Sequence, residues 1–355
     1  MKQSLFAILL VISASLYSCE RLFMEEDPEP ENAKVFDHLW QTVDEKYSFF
    51  SDKNIDWDSA KDVFRPKAIN ARNSIELFNI LADMLFILED GHVNISAGID
   101  VSRNWDWYLE YPTNFNFDVI ERNYLVPSKD YQISGPIHNT IIDSVGYMYY
   151  ESFSSNVSTS LMDYLVLKFL INEREGSFQI NSLEGPVAGL IIDIRNNGGG
   201  SISNAFTIAN RFANERIKIA DWFYKNGPGH DDFTKAEEKF LEFDGDEDYK
   251  FNKPIVVLIN RSSYSSANFF ASMMSFLPNV TLMGDRTGGG GGLPINNELP
   301  NGWRYRFSST KTIDANGNNI EFGVQPDIAI ALDSTDFNNG TDRLIEEAID
   351  YIKNQ

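Results

Sequence analysis

A serine-rich turn, Asn260-Arg261-Ser262-Ser263-Tyr264-Ser265-Ser266-Ala267, lies between two apolar runs. Pro254 to Ile259 reads as a buried strand and Phe269 to Phe276 as a helix. A hydroxyl at such a junction is exposed and sits in the partial positive charge of a helix N-terminus, so a serine there can serve as a nucleophile. Ser262, Ser263, Ser265 and Ser266 all compete for that role, and the plainer reading of each is a helix cap. A second strand-to-helix junction, Leu190 to Gly200, ends in Gly198-Gly199-Gly200. Its glycines can aim backbone N–H groups at an oxyanion, or can simply supply a turn with positive φ. One serine turn and one glycine turn together point to acyl transfer, most simply peptide-bond hydrolysis.

A serine needs a base to lose its proton at neutral pH. The chain has four histidines, His38, His92, His138 and His230. His38 falls within an amphipathic helical pattern and His230 within a polar insertion, and both read as structural or exposed. His92 follows Glu89-Asp90-Gly91, and Asp90 is so near in sequence that it is a poor candidate to orient the imidazole. A third glycine-rich segment, Gly288 to Gly292, lacks the Gly-Lys-Ser/Thr that would follow in a phosphate loop. No His/Cys/Asp/Glu set has metal-ligand spacing, and no cofactor is expected.

Several elements must position these residues. Ala33 to about Leu88 reads as helical, with Val35, Leu39, Val43 and Tyr47 at helical spacing. Asn73 and Glu76 form a capping-box pattern for a helix carrying Ile75, Phe78, Leu81, Ala82 and Leu85 on one side, with Gly91 as its terminator. Val93 to Ile95 alternates like a short strand. Trp105 to Leu125 is aromatic and alternating, which predicts a small antiparallel piece. From Val145 the pattern is strand, helix, strand, helix: strands over Gly146 to Phe153, Val187 to Ile194, Ile217 to Tyr224, Pro254 to Ile259 and Val280 to Met283, with helices at Ser158 to Phe169, at about Ile202 to Ala213 and after Ser265. Asn226 to Tyr249 reads as a polar, acidic insertion, and Leu344 to Ile352 as a closing helix.

The chain has 355 residues, 43% of them hydrophobic, enough for a large domain and a smaller one. A net charge of −22 argues against nucleic acid as a partner. Lys2 precedes an apolar run from Leu5 to Leu16, which reads as a secretory signal too short to be a stable spanning helix. Cys19, the single cysteine, follows Leu16-Tyr17-Ser18 in a pattern that resembles a bacterial lipobox. Lipid on Cys19 would anchor the mature protein to a membrane. The acidic, proline-bearing stretch after it cannot build a core and reads as a tether. It also resembles the surface-export signal of Bacteroidetes lipoproteins. These readings divide the chain into a signal peptide (1–18), a lipidated acidic tether (19–34), a helical N-terminal subdomain (35–104), a small β segment (105–144) and an α/β core (145–355).

Five segments together resemble peptidase family S41, the C-terminal processing and tricorn-like serine peptidases: Leu88 to His92, Asp193 to Gly200, Ser263 to Ala267, Gly284 to Gly292, and Glu321 to Asp327. The resemblance covers nearly the whole chain after the tether and is closest to the tricorn-like branch that lacks a PDZ domain. It implies an α/β fold with a ClpP/crotonase-like β–α superhelix core, a helical N-terminal subdomain and a small β subdomain. It implies Ser265 as nucleophile, His92 as base and Glu321 as the third catalytic member, with Gly198, Gly199 and Ser266 forming the oxyanion hole. The processing branch instead takes a lysine from the glycine turn, and Gly288 to Gly292 offers none. The family's glutamate after the serine pattern is Asn268 here. The implied substrate is a peptide or unfolded protein, and the implied location is an outer-membrane lipoprotein on the cell surface or periplasmic face. The alternative is a non-catalytic module on the same fold that binds a peptide or hydrophobic ligand. An unperturbed imidazole titrates near pH ~6.5, so a histidine base predicts activity rising through the near-neutral range.

Overall fold

The computed structural model describes residues 31–104, 114–174, 177–180, 187–332 and 334–355. The signal peptide, Cys19, most of the tether and Trp105 to Thr113 lie outside the described residues.

Apolar residues at helical spacing build the N-terminal part. Helices α1 (Glu31–Lys46), α2 (Trp57–Ile69) and α3 (Ser74–Phe86) enclose a core that includes Phe36, Leu39, Val43, Tyr47, Phe78 and Leu81. Asn73 caps α3 by accepting the Glu76 N–H at 2.9 Å, but Glu76 reaches back to the Arg72 N–H instead of closing the box on Asn73. Two expectations for this helix fail. Ile75 is 61% exposed, because the first turn of α3 extends past the packed face. The chain leaves the helix at Ile87 and turns at Glu89, whose φ of 43° does what was expected of Gly91.

Strand β1 (Asn94–Ser96) then pairs antiparallel with β13 (Arg304–Ser308), which pairs in turn with β12 (Pro294–Glu298). Tyr305 and Phe307 of β13 enter the N-terminal core. A C-terminal hairpin thus completes the helical subdomain and brings it against the rest of the chain.

The main sheet has seven strands in the order β15 (Ile328–Ala329), β11 (Val280–Gly284), β10 (Ile255–Ile259), β7 (Gly189–Asp193), β4 (Val145–Tyr150), β3 (Ile137–Ile142) and β2 (Gln132–Ser134). The first five are mutually parallel, and β3 and β2 add antiparallel. Its central strands are buried on both faces, as parallel sheets require. Leu190, Ile192, Ile255 and Val257 point to a core covered by α4 (Thr159–Leu170), α5 (Ile202–Asn210) and α6 (Ser266–Met274). Ile191, Val256 and Leu258 point to the other face, under α7 (Arg343–Lys353). This is the mixed α/β architecture the sequence implies.

The segment 105–144 is not a separate β unit where it is described. Phe117 to Leu125 is helical, because Asn116 caps the Val119 N–H and Val119, Ile120, Tyr124 and Leu125 are buried at helical spacing. β2 and β3 instead form the antiparallel edge of the main sheet. The polar insertion contains β9 (Glu237–Leu241), which pairs with β8 (Ile217–Tyr224), itself paired with β14 (Thr310–Asp314). β5 (Ile171–Arg174) and β6 (Ser177–Ile180) form a separate hairpin.

Candidate active site

Three turns meet at the C-terminal ends of neighbouring parallel strands. The turn after β7 and the turn after β10 are stitched together. Asn260 Oδ1 accepts the N–H groups of Asn196 (3.0 Å) and Ser262 (3.1 Å), the Tyr264 N–H donates to Asn197 O (3.0 Å), and Ser263 Oγ donates to Ile194 O (2.8 Å). The glycine turn after β11 joins them through the Ser265 N–H, which donates to Gly289 O at 2.9 Å. Arg195, fully buried, braces the first turn by pairing with Asp193 (2.6 Å) and Asp342 (2.9 Å), and Asp342 in turn caps α7.

Three of the four serines separate by what their side chains bond. Ser263 is buried on Ile194 O, and Ser266 Oγ donates to Gly200 O at 2.7 Å. Ser265 Oγ lies 2.8 Å from His92 Nε2, across 173 residues of sequence. Ser265 holds φ 57° and ψ −119°, a conformation that L side chains seldom adopt. Its side chain makes no cap bond, so the hydroxyl is turned toward the cleft and not into its own helix. That cleft has a volume of about 680 Å³ and is lined by Gly198, Gly199, Leu293, Pro294 and Arg306 as well as His92 and Ser265.

His92 is buried, and burial pushes its pKa down to about 4, against the pull of Asp90 and with help from the Arg306 and Lys53 cations. Its imidazole is therefore neutral at neutral pH. Its Nδ1 faces Ser308 Oγ at 3.3 Å and Asp90 Oδ1 at 3.8 Å. A carboxylate only accepts, which favours the proton on Nδ1 and leaves Nε2 to accept from Ser265 Oγ. Asp90 Oδ1 also accepts the backbone N–H of His92 at 2.8 Å. Two residues of separation do allow this contact, because the carboxylate curls back under the turn and grips the backbone first. The sequence carries no signal for Lys53, yet its side chain is only 10% exposed and its charge is felt at His92.

Glu321 is placed differently from expectation. It is buried, and its oxygens are taken by Lys53 Nζ (2.7 Å) and the Gly291 N–H (2.8 Å), so it bonds neither His92 nor Ser265. The reason is local: Asn319 caps the Glu321 N–H, and the resulting turn aims the carboxylate at the glycine segment. Lys311, the first lysine after Ser265 in the sequence, pairs through Nζ with Asp52 at 2.6 Å. Asn268 is buried and ties the Ile320 carbonyl to Thr287.

The three oxyanion candidates also divide. The N–H groups of Gly198 and Ser266 have no acceptor among the described hydrogen bonds, while the Gly199 N–H donates to Asn197 Oδ1 at 2.9 Å. Gly199 matters for space: a Cβ there would lie 2.7 Å from Tyr264 O and 2.8 Å from Ser265 Cβ, at a φ of +98°. Gly199→Ala should therefore lower kcat about 100-fold, the cost of a misplaced reacting group, and lower stability by about 1–3 kcal/mol. Steady-state kinetics and thermal melting check both effects.

Residues 144–330 match the profile of peptidase family S41, and residues 28–86 match the tricorn protease C1 domain. His92 lies between the two matched segments. A crystal structure of a protein from Parabacteroides merdae assigned as a peptidase is 41% identical, with a TM-score of 0.81 over 91% of this chain and 96% of that one. Mature CPAF, solved in complex with lactacystin, shares the fold at 13% identity, with a TM-score of 0.64 over 91% of this chain and 97% of that one. The carboxy-terminal processing protease CtpA of Bacillus subtilis is 29% identical over 192 residues, which are 54% of this chain but only 36% of CtpA. With more than half of its length inside the S41 profile, the chain belongs to peptidase family S41.

Proposed function

We propose that the protein is a serine endopeptidase that cleaves peptides or unfolded proteins through an acyl-enzyme. The observation that carries this reading is the 2.8 Å contact between Ser265 Oγ and a buried, neutral His92. His92 Nε2 takes the Ser265 proton as Oγ attacks the scissile carbonyl carbon. The N–H groups of Gly198 and Ser266 stabilise the oxyanion, aided by the α6 N-terminus. His92 then gives its proton to the leaving amine, leaving an ester on Ser265. A water, deprotonated by His92, attacks that ester; the acid product leaves and Ser265 regains its proton. Asp90 and Ser308 orient the imidazole in this scheme, the place the family resemblance gives to Glu321. The test is incubation with an unfolded protein, reading new termini by mass spectrometry. Defined internal cuts support the reading, and an intact substrate that merely binds would favour a ligand-binding module.

The reading extends to a membrane anchor through lipid on Cys19, on the strength of the lipobox-like sequence alone. In the native host the wild type should fractionate with membranes and Cys19→Ala should be released as soluble protein. A soluble wild type, or a variant that stays bound, would reject the anchor.

A further inference from the structure

Outside the Ser265–His92 pair, the short helical turn Phe50–Lys53 carries a buried polar arrangement where the helical subdomain meets the core. Lys53 Nζ donates to Leu88 O (3.1 Å) and Glu89 O (2.9 Å), the carbonyls between α3 and the His92 turn. It also pairs with Glu321, whose side chain is 1% exposed. The other Glu321 oxygen accepts the N–H of Gly291, and two residues away Gly289 O accepts the N–H of Ser265. The neighbouring Asp52 grips the same stretch of the core, accepting from Asn319 Nδ2 (3.0 Å) and pairing with Lys311 (2.6 Å).

A cation this enclosed is costly to bury unless every proton finds an acceptor. Here its acceptors come from both halves of the molecule: carbonyls from the segment that carries His92, and a carboxylate fixed to the turn that holds Ser265. We infer that Lys53 is a positioning residue for the Ser265–His92 pair, latching the His92 turn to Glu321 and through it to the glycine turn under Ser265. This rests on the peptidase reading above, and it gives Glu321 a role as the anchor of the latch.

The test uses the full chain and an unfolded-protein substrate. Lys53→Met should lower kcat about 100-fold with little change in KM, because a shift near 1 Å between reacting groups costs that much while the cleft itself is untouched. A second readout separates positioning from bulk stability. The charged groups facing His92 are Asp90, Arg306 and Lys53. Those facing Lys53 are Glu321, Asp90 and Glu89. Lys53 opposes protonation of His92, so Lys53→Met should move the acid limb of kcat/KM to higher pH, and Lys53→Arg, which keeps the charge, should return it. Burial raises the Glu321 pKa against the pull of Lys53, so that carboxyl takes a proton when its partner is removed. If Lys53→Met nevertheless fails to fold, Glu321→Gln keeps the shape and the Gly291 acceptor and sets an amide NH2 against Lys53 in place of the carboxylate oxygen, which breaks the ion pair. It should lower kcat about tenfold with KM unchanged. Near-wild-type kcat and an unmoved acid limb in Lys53→Met, or near-wild-type kcat in Glu321→Gln, would overturn the latch. Ser265→Ala in the same assay keeps the two ideas distinct: if it remains active, the peptidase reading itself has failed.

Discussion

Ser265→Ala should abolish hydrolysis of an unfolded protein while leaving the fold intact. Loss of a serine nucleophile that acts with a histidine costs on the order of 10⁶ in kcat. The cost in stability is small, because Ser265 caps no N–H and its side chain bonds only His92 among the described contacts. A change below ~1 kcal/mol in a chain of this size moves the melting temperature by no more than about 3 °C. Ser265→Gly sharpens the point. The serine occupies φ 57°, ψ −119°. Relief of such strain is worth about 1–3 kcal/mol, against about 0.4–1 kcal/mol for the greater freedom of glycine in the unfolded chain. Ser265→Gly should thus be equally inactive and at least as stable as Ser265→Ala. An active Ser265→Ala beside an inactive Ser266→Ala would place the nucleophile one residue later.

His92→Ala should lower kcat by about 10⁴, the upper range for a general base. In the wild type the pH dependence carries a distinct signature. Only neutral imidazole can accept the serine proton, so activity is lost as pH falls through the His92 pKa. Burial lowers that pKa to about 4. The acid limb of kcat/KM should therefore fall well below the ~6.5 of a free imidazole, and activity should be nearly flat across the neutral range. This corrects the expectation, drawn from the residue type, of activity rising near neutrality. Stability follows the same linkage. Between about pH 4 and the unfolded value the unfolded chain binds the extra proton, so His92 weakens the fold as pH drops through that window, with the full effect below about 4. A limb at 6.5 would mean that His92 is more open to water than its burial indicates.

Much of this site was legible in the sequence because local patterns govern it. The strand-turn-helix around Ser265, the glycine turn after β7 and the Asn73 cap follow from apolar period and turn chemistry. The features missed depend on tertiary placement. Lys53 ends a four-residue turn between polar neighbours and looks like a surface charge; only the approach of Glu321, 268 residues later, makes it a buried one. Spacing argues against Asp90, but it reaches His92 through the backbone N–H. β12 and β9 leave no strand pattern in the sequence, because Asn296-Asn297-Glu298 and Glu237-Glu238 carry too much polarity to show alternation, their pairing being set by neighbouring strands. The helix at Phe117 to Leu125 was obscured by aromatic residues whose spacing fits both periods.

The central claim is that His92 activates Ser265 as a nucleophile. Treating the full chain with a fluorophosphonate and mapping the adduct by mass spectrometry tests it most directly. The account predicts one adduct, on Ser265, formed at a rate that holds across neutral pH and is largely lost in His92→Ala. An adduct on Ser262 or Ser266, or undiminished labelling of Ser265 without His92, would contradict it.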